Sequence, residues 1–326
     1  MYTVFVAFFL FSFRIASGAI KGPLSDDFQK WLKRNGYDSC DFARSDYGTQ
    51  GSYGGKTVNV SEMVNIPVVF VHGNSDAALH RSSSAPGWSN SIEYFLANGY
   101  TQAELYATSW QDSNPLNASK RKHDCETVTR IRKFFEAVLS YTGSKKISIV
   151  SHSMGVTIAR KAVKGGRIED ADGQCNIGLP LNKKIEVFVG LSGANFGLCN
   201  CEGPLANLQK TCNKQDGFWP GDSCGSNKLN CGVNPLPSPC TAVSYSKYLM
   251  QLNSDRIKEA DYVFSVWSYA DELIGYSDMV WGRATSLIPL SDGKINYSNL
   301  THMESKDNTF ADQYQMVKFH IVPTNN

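Results

Sequence analysis

Apolar positions along this chain follow two alternating rhythms. Ile66 to Val71 (Ile-Pro-Val-Val-Phe-Val) is a short, nearly continuous apolar run ending at His72-Gly73. That pattern predicts a buried strand, with Pro67 near its start, where a missing donor costs least. Trp88 to Asn98 predicts a helix: Ile92, Phe95 and Leu96 share a face and Gly99 stops it. Glu104 to Trp110 predicts the next strand. The strongest helical period spans Thr127 to Tyr141, where Val128, Ile131, Phe134, Phe135, Val138 and Leu139 recur at three- and four-residue steps before Gly143. Ile147–Val150, Ile185–Leu191 and Tyr262–Trp267 predict further strands, with helices at Met154–Val163 and Thr309–Phe319. Strands alternating with helices predict an α/β fold, a mostly parallel central sheet with helices on both faces. No internal repeat or low-complexity linker divides the chain, so one domain is expected.

One stretch breaks the rhythm. Cys199 to Cys240 holds six of the nine cysteines, five glycines and five prolines, around Phe218-Trp219-Pro220. So many breakers predict neither a regular helix nor a strand but a disulfide-rich insertion. Its place, between the Ile185–Leu191 and Tyr262–Trp267 strands, where loops at one end of the sheet emerge, suggests either a cap or lid with Phe218 and Trp219 exposed as apolar surface, or a stabilising surface excursion. Six cysteines allow fifteen pairings, and nine leave at least one unpaired within a monomer.

The first residues read as an address. Tyr2 to Phe13 is almost wholly apolar, followed by Arg14 and the small run Ala16-Ser17-Gly18-Ala19. This predicts a secretory signal peptide over residues 1–19, cleaved after Gly18 or Ala19. The run is shorter than the roughly 20 residues a spanning helix needs. An oxidising compartment accommodates the cysteines. It also gives meaning to sequons at Asn59, Asn117, Asn296 and Asn299. Residues 20–326 then form the mature domain. A composition of 42% hydrophobic and 19% charged residues excludes a disordered chain. Thirty-two basic against thirty acidic residues argue against a nucleic-acid partner.

Candidate chemistry concentrates at three points. Ser151-His152-Ser153-Met154-Gly155 lies between a predicted strand and a predicted helix. A sharp strand-to-helix turn lifts the middle residue clear of the backbone and needs small residues two positions either side. Ser153 is the candidate nucleophile, and the Met154 amide at the helix start is a candidate oxyanion donor. The second donor must come from a loop after an earlier strand, and the Asn74 amide beyond His72-Gly73 is the candidate. His72 itself reads as a structural histidine. A serine nucleophile also needs an imidazole base oriented by a carboxylate. His302 and His320 follow the serine; His302 lies in a polar loop, His320 at the end of the last helix, where it caps. Asp271, just beyond the Tyr262–Trp267 strand, is the candidate acid, with Asp278 and Asp292 as rivals.

Taken together, these segments resemble the secreted α/β-hydrolases of the class 2 lipase group, especially the nematode lipase-related branch. The resemblance rests on Pro67 to Asn74, Ser151 to Gly155, Gly190 to Asn195, Ala270-Asp271 and His302, and covers roughly residues 60–320. It implies an α/β-hydrolase fold, Ser153, Asp271 and His302 as a triad, the Asn74 and Met154 amides as oxyanion hole, and hydrolysis of lipid or carboxylic esters, with triacylglycerol as substrate. The partner expected is a lipid or ester substrate at a lipid interface, to which Phe218 and Trp219 of a capping insertion would offer apolar surface. No cofactor and no metal is expected, since a phosphate loop and paired zinc-ligand spacing are both missing. Two departures stand out: small bacterial members lack the insertion, and the Asn299 sequon sits three residues before His302. A catalytically inactive extracellular binding member, or a transacylase or thioesterase using the same triad, are the alternatives.

Overall fold

A computed structural model describes residues 20–59, 62–170, 172–203, 205–221 and 244–323. Residues 1–19, where a signal peptide is expected, two residues of the Asn59 sequon, and residues 222–243 with Cys224, Cys231 and Cys240 lie outside the described residues.

A seven-stranded sheet forms the centre. Its strands are β1 (Ser52–Tyr53), β2 (Val68–Val71), β3 (Leu105–Thr108), β4 (Ile147–His152), β7 (Ile185–Leu191), β8 (Tyr262–Ser268) and β11 (Gly293–Tyr297), in spatial order β1-β3-β2-β4-β7-β8-β11. Every pairing is parallel except β1 with β3. Two small hairpins stand apart, β5 (Arg167–Glu169) with β6 (Gln174–Asn176) and β9 (Met279–Val280) with β10 (Arg283–Ala284).

Near-continuous apolar runs are what two covered faces require. In β2, Val69 and Val71 join one core cluster while Val68 and Phe70 join the other. The first face receives α1 (Asp26–Arg34), α3 (Cys125–Thr142), α4 (Met154–Lys164) and α6 (Lys247–Ser254). The second receives α2 (Ser89–Ala97) and α8 (Phe310–Phe319), which pack on each other. The short helices α5 (Leu205–Leu208) and α7 (Glu304–Asp307) lie in the connections. Pairing of β4 with β7 slips between Ile147 and Ile149, so Ile185 and Phe188 both reach the first face.

The periodicity located the central strands and the main helices. It missed α1, β1, α6, the hairpins and β11. The last is instructive: in Gly-Lys-Ile-Asn-Tyr only Ile295 is buried, as suits an edge strand with one packed face.

The insertion departs from expectation. Phe218 and Trp219 are buried, at 3% and 8% exposure, rather than offered to lipid. Phe218 joins the first core cluster, edge-on to His123, and its amide and carbonyl bond Thr211 and Leu198. Large aromatic rings so close to the α3–α4 face gain more by burial than by exposure. Disulfides join Cys125 to Cys175, tying the start of α3 to the β5–β6 hairpin, and Cys201 to Cys212 within the insertion; Cys199 is also disulfide-bonded. Cys40 is the free cysteine among the described residues.

Candidate active site

β4 ends at His152 and α4 begins at Met154, leaving Ser153 alone at the corner. Its φ of 54° and ψ of −131° lie where L-residues are rarely found. The turn is held by the Ser153 N–H donating to the Leu191 carbonyl at 2.8 Å, and by Val156 N–H donating to the Ser153 carbonyl at 3.0 Å. Gly155 is indispensable to this corner: a Cβ there would come 2.3 Å from the His72 carbonyl oxygen and 2.7 Å from that of Val71. At the other small position, Ser151 is fully buried and its hydroxyl donates to the Val189 carbonyl at 3.0 Å, so serine fits by bonding the neighbouring strand.

The loop after β2 meets this corner. A Cβ on Gly73 would lie 2.7 Å from Ser153 Cβ, so glycine lets the loop lie against the candidate nucleophile. His72 shapes the loop. Trp110 N–H donates to its Nε2 at 3.0 Å and its Nδ1 meets the Gly73 carbonyl at 2.7 Å, while the two rings stack. Accepting at Nε2 leaves the proton on Nδ1, the neutral form, consistent with burial lowering its pKa to about 4. Among the described residues, the backbone N–H groups of Asn74 and Met154 meet no acceptor.

Across the sheet, the loops after β8 and β11 bring Asp271 and His302 together. His302 Nδ1–H donates to Asp271 Oδ2 at 2.8 Å, with side chains 4% and 1% exposed. The other carboxylate oxygen accepts the N–H groups of Leu273 at 3.0 Å and Ile274 at 2.8 Å. Burial pushes the Asp271 carboxyl up, but His302 and the Ile274 and Ser192 donors outweigh it and hold it below its ordinary value. It is therefore an anion at neutral pH, and its bond leaves His302 Nε2 with the lone pair.

The rivals lie elsewhere. Asp278 accepts from the Ser286 hydroxyl and N–H, and burial raises its carboxyl to about 8, so it is largely protonated at neutral pH. Asp292 binds Lys258 and the Val263 N–H at the opposite end of β8. His320 caps α8, stacks on Tyr262 and sits 3.6 Å from Glu186.

Some members of the site carry no sequence signal. His152 Nε2–H donates to the His302 carbonyl at 3.0 Å, and the two rings lie 4.6 Å apart. Burial, with His302 and Lys306 nearby, pushes its pKa well down, so it stays neutral. The buried Lys306 of α7 reaches Asp76 in the loop after β2 at 3.6 Å. The Glu272 carboxylate accepts the His302 N–H at 2.9 Å. All three join residues far apart in sequence; only the position of His152, next to Ser153, could have drawn notice.

A protein-family profile, Lipase (class 2), matches residues 65–315. The chain belongs to the class 2 lipase family. It has the α/β-hydrolase fold and is a carboxylic-ester hydrolase by family. Among solved structures, a Bacillus licheniformis lipase, BlEst2 in its propeptide form, is 14% identical with a TM-score of 0.50; the match covers 84% of this chain and 55% of that one. A monoacylglycerol lipase from Paleococcus ferrophilus is 15% identical over 80% of this chain and all of its own, with a TM-score of 0.45. Aspergillus fumigatus lipase B is 13% identical over 80% of this chain and 54% of its own, with a TM-score of 0.44. This class 2 lipase thus spans about half the length of the Bacillus and Aspergillus enzymes. No helix among its described residues is long and apolar enough to cross a membrane.

Proposed function

We propose that this class 2 lipase is a secreted serine esterase of lipid esters, with triacylglycerol as its substrate and the nematode lipase-related branch as its place in the family. Residues 1–19 are the cleaved signal peptide and 20–326 a single catalytic domain. The observation that carries the reading is the buried Asp271–His302 pair, held by His152 beside the corner residue Ser153. In the mechanism, Ser153 Oγ attacks the ester carbonyl while His302 Nε2 takes its proton. Asp271 keeps the imidazole oriented and stabilises its cation. The Asn74 and Met154 amides bind the oxyanion, aided by the start of α4. His302 then protonates the departing alcohol. Water repeats the cycle on the acyl-enzyme, releasing the acid and restoring Ser153.

Three disulfide-bonded positions in the insertion and the Cys125–Cys175 bridge support an oxidising destination. A lipid interface is supported by apolar side chains exposed on the Asp271 loop, Leu273 at 55% and Tyr276 at 53%. They replace Phe218 and Trp219 in that role. Asn200 of the insertion donates to the Leu273 carbonyl at 3.3 Å, joining the two segments.

The test is a panel of p-nitrophenyl esters and emulsified triglyceride, run with fluorophosphonate labelling of wild type and Ser153→Ala. Turnover and labelling that vanish together in the variant support the reading. Labelling without triglyceride turnover narrows it to soluble esters, and no labelling of wild type leaves a non-catalytic member of the fold.

A further inference from the structure

Arg121 is an unexplained expense in this fold. Its side chain is 2% exposed, and its Nε has no hydrogen-bond partner. Burying a guanidinium costs several kcal/mol unless its donors are satisfied. Its bonds converge on the loop that follows β2. One terminal nitrogen donates to both the Asn74 side-chain oxygen and the Ser75 hydroxyl. The other donates to the Asp112 carbonyl at 2.8 Å and the Asn114 carbonyl at 3.0 Å, and pairs with the Asp112 carboxylate.

Asn74 is thereby held at both ends of its planar amide, since its Nδ2 also donates to the Ala118 carbonyl at 3.0 Å. Holding that plane at both ends restrains the side-chain torsions and so anchors the Asn74 Cα, which carries the N–H. The insertion joins the same network: the single Thr211 hydroxyl proton is shared between the Ala118 carbonyl, at 2.7 Å, and the Arg121 carbonyl. Thr211 adjoins Cys212, which is bonded to Cys201.

We propose that Arg121 is a positioning residue that aims the Asn74 N–H at the oxyanion, and that Thr211 transmits the set of the disulfide-bonded insertion to it. The inference rests on the oxyanion role assigned to Asn74 above. Arg121 does not touch substrate; it acts through Asn74. A planar fork is required, because a lysine ammonium cannot span Asn74 and Asp112 with the same geometry.

The experiment compares Arg121→Met, Arg121→Lys and Thr211→Val with Arg132→Met. Arg132 is also buried but binds Glu136 and the Ala162 carbonyl on the far helices. Turnover of a soluble ester and hydrogen exchange of residues 72–76 are read for each, with thermal midpoints. Losing an oxyanion donor outright costs about 100- to 1,000-fold in kcat, so mis-aiming one should cost about 10-fold or more. The expectation is that kcat falls by that much in Arg121→Met and by less in Arg121→Lys and Thr211→Val, with KM within about twofold. Exchange at residues 72–76 should quicken in step, while Arg132→Met lowers the thermal midpoint alone. Wild-type kcat in a folded Arg121→Met, or in Arg121→Lys if the methionine variant does not fold, overturns the proposal. So does a fall in kcat with unchanged exchange. A wild type without esterase activity sinks the catalytic reading instead, and quickened exchange would then show the clamp without its catalytic consequence.

Discussion

The two ends of the central sheet each pair a histidine with a carboxylate, under very different conditions. At the ends of β8 and β11 where the strands finish, Asp271 and His302 are 2.8 Å apart and almost wholly buried. Where the strands begin, Glu186 and His320 are 3.6 Å apart, with side chains 17% and 30% exposed, and Lys146 competes for the same carboxylate. Water and a competing cation screen the second pair, so it is worth little. The first lies in a low-dielectric pocket lined by oriented N–H donors, where one proton position is fixed. Both pairs join a histidine to a carboxylate, aspartate in one and glutamate in the other; burial and second partners suit the first to proton transfer and leave the second a surface contact. Parallel strands put the loops that can enclose such a pair at one end of the sheet.

The comparison breaks most visibly at the proposed nucleophile. Ser153→Ala should leave a folded protein with ester hydrolysis reduced by several orders of magnitude, because members of a triad act as a unit. Initial rates on a soluble ester decide it, and wild-type turnover would remove Ser153 from the mechanism. Next comes the carboxylate. Asp271→Asn should slow turnover by up to about 10⁴-fold through the wrong imidazole tautomer, whereas Asp292→Asn and His320→Gln should stay within about twofold. Equal losses from the two ends would mean that burial does not distinguish them.

Gly155→Ala sharpens the comparison through the backbone. A methyl 2.3 Å from the His72 carbonyl must displace either the corner or the loop after β2. A loss of about 1–3 kcal/mol is expected in urea unfolding, together with reduced activity. Gly36→Ala is the control, since its Cβ would meet nothing within 4 Å and only its φ of 81° counts against it.

The smallest effect is a pH slope. The Asp278 pKa, raised by burial to about 8, lies above its unfolded value, so the folded form holds a proton the unfolded chain has released. Stability from this group is full below about pH 4 and falls as pH rises towards 8. His72 and His123, lowered by burial to about 4, act in the opposite sense: stability is lost as pH falls from about 6.5 towards 4. Above about pH 7.5 these two histidines are largely neutral in both states and Asp278 dominates. Wild-type unfolding free energy should decline there by up to about 1.4 kcal/mol per pH unit, and Asp278→Asn should flatten the decline. Parallel pH curves for the two proteins would show that Asp278 is not held neutral.

Legibility in the sequence followed the range of the interactions. The β4–Ser153–α4 corner is local, so small residues at 151 and 155 between an apolar run and a helical period were enough to mark it. β11 was missed because its buried face holds a single apolar residue, Ile295. Phe218 and Trp219 predict a lipid-facing surface yet lie buried, because sequence reports that residues are aromatic, not which neighbours cover them. Arg121, Lys306 and Glu272 belong to no motif or periodic face; their partners are Asn74, Asp76 and His302, at least thirty positions away.

What the sequence determined by itself was the alternation of strands and helices and the strand-to-helix corner at Ser153. Each follows from periodicity or short-range sterics. Tertiary structure alone decided that Asp271 rather than Asp278 meets the imidazole, that Phe218 lies in the core, and that Arg121 grips Asn74. Those outcomes depend on desolvation and on bonds between distant segments, which come into being only when the sheet and its covering helices have closed around them.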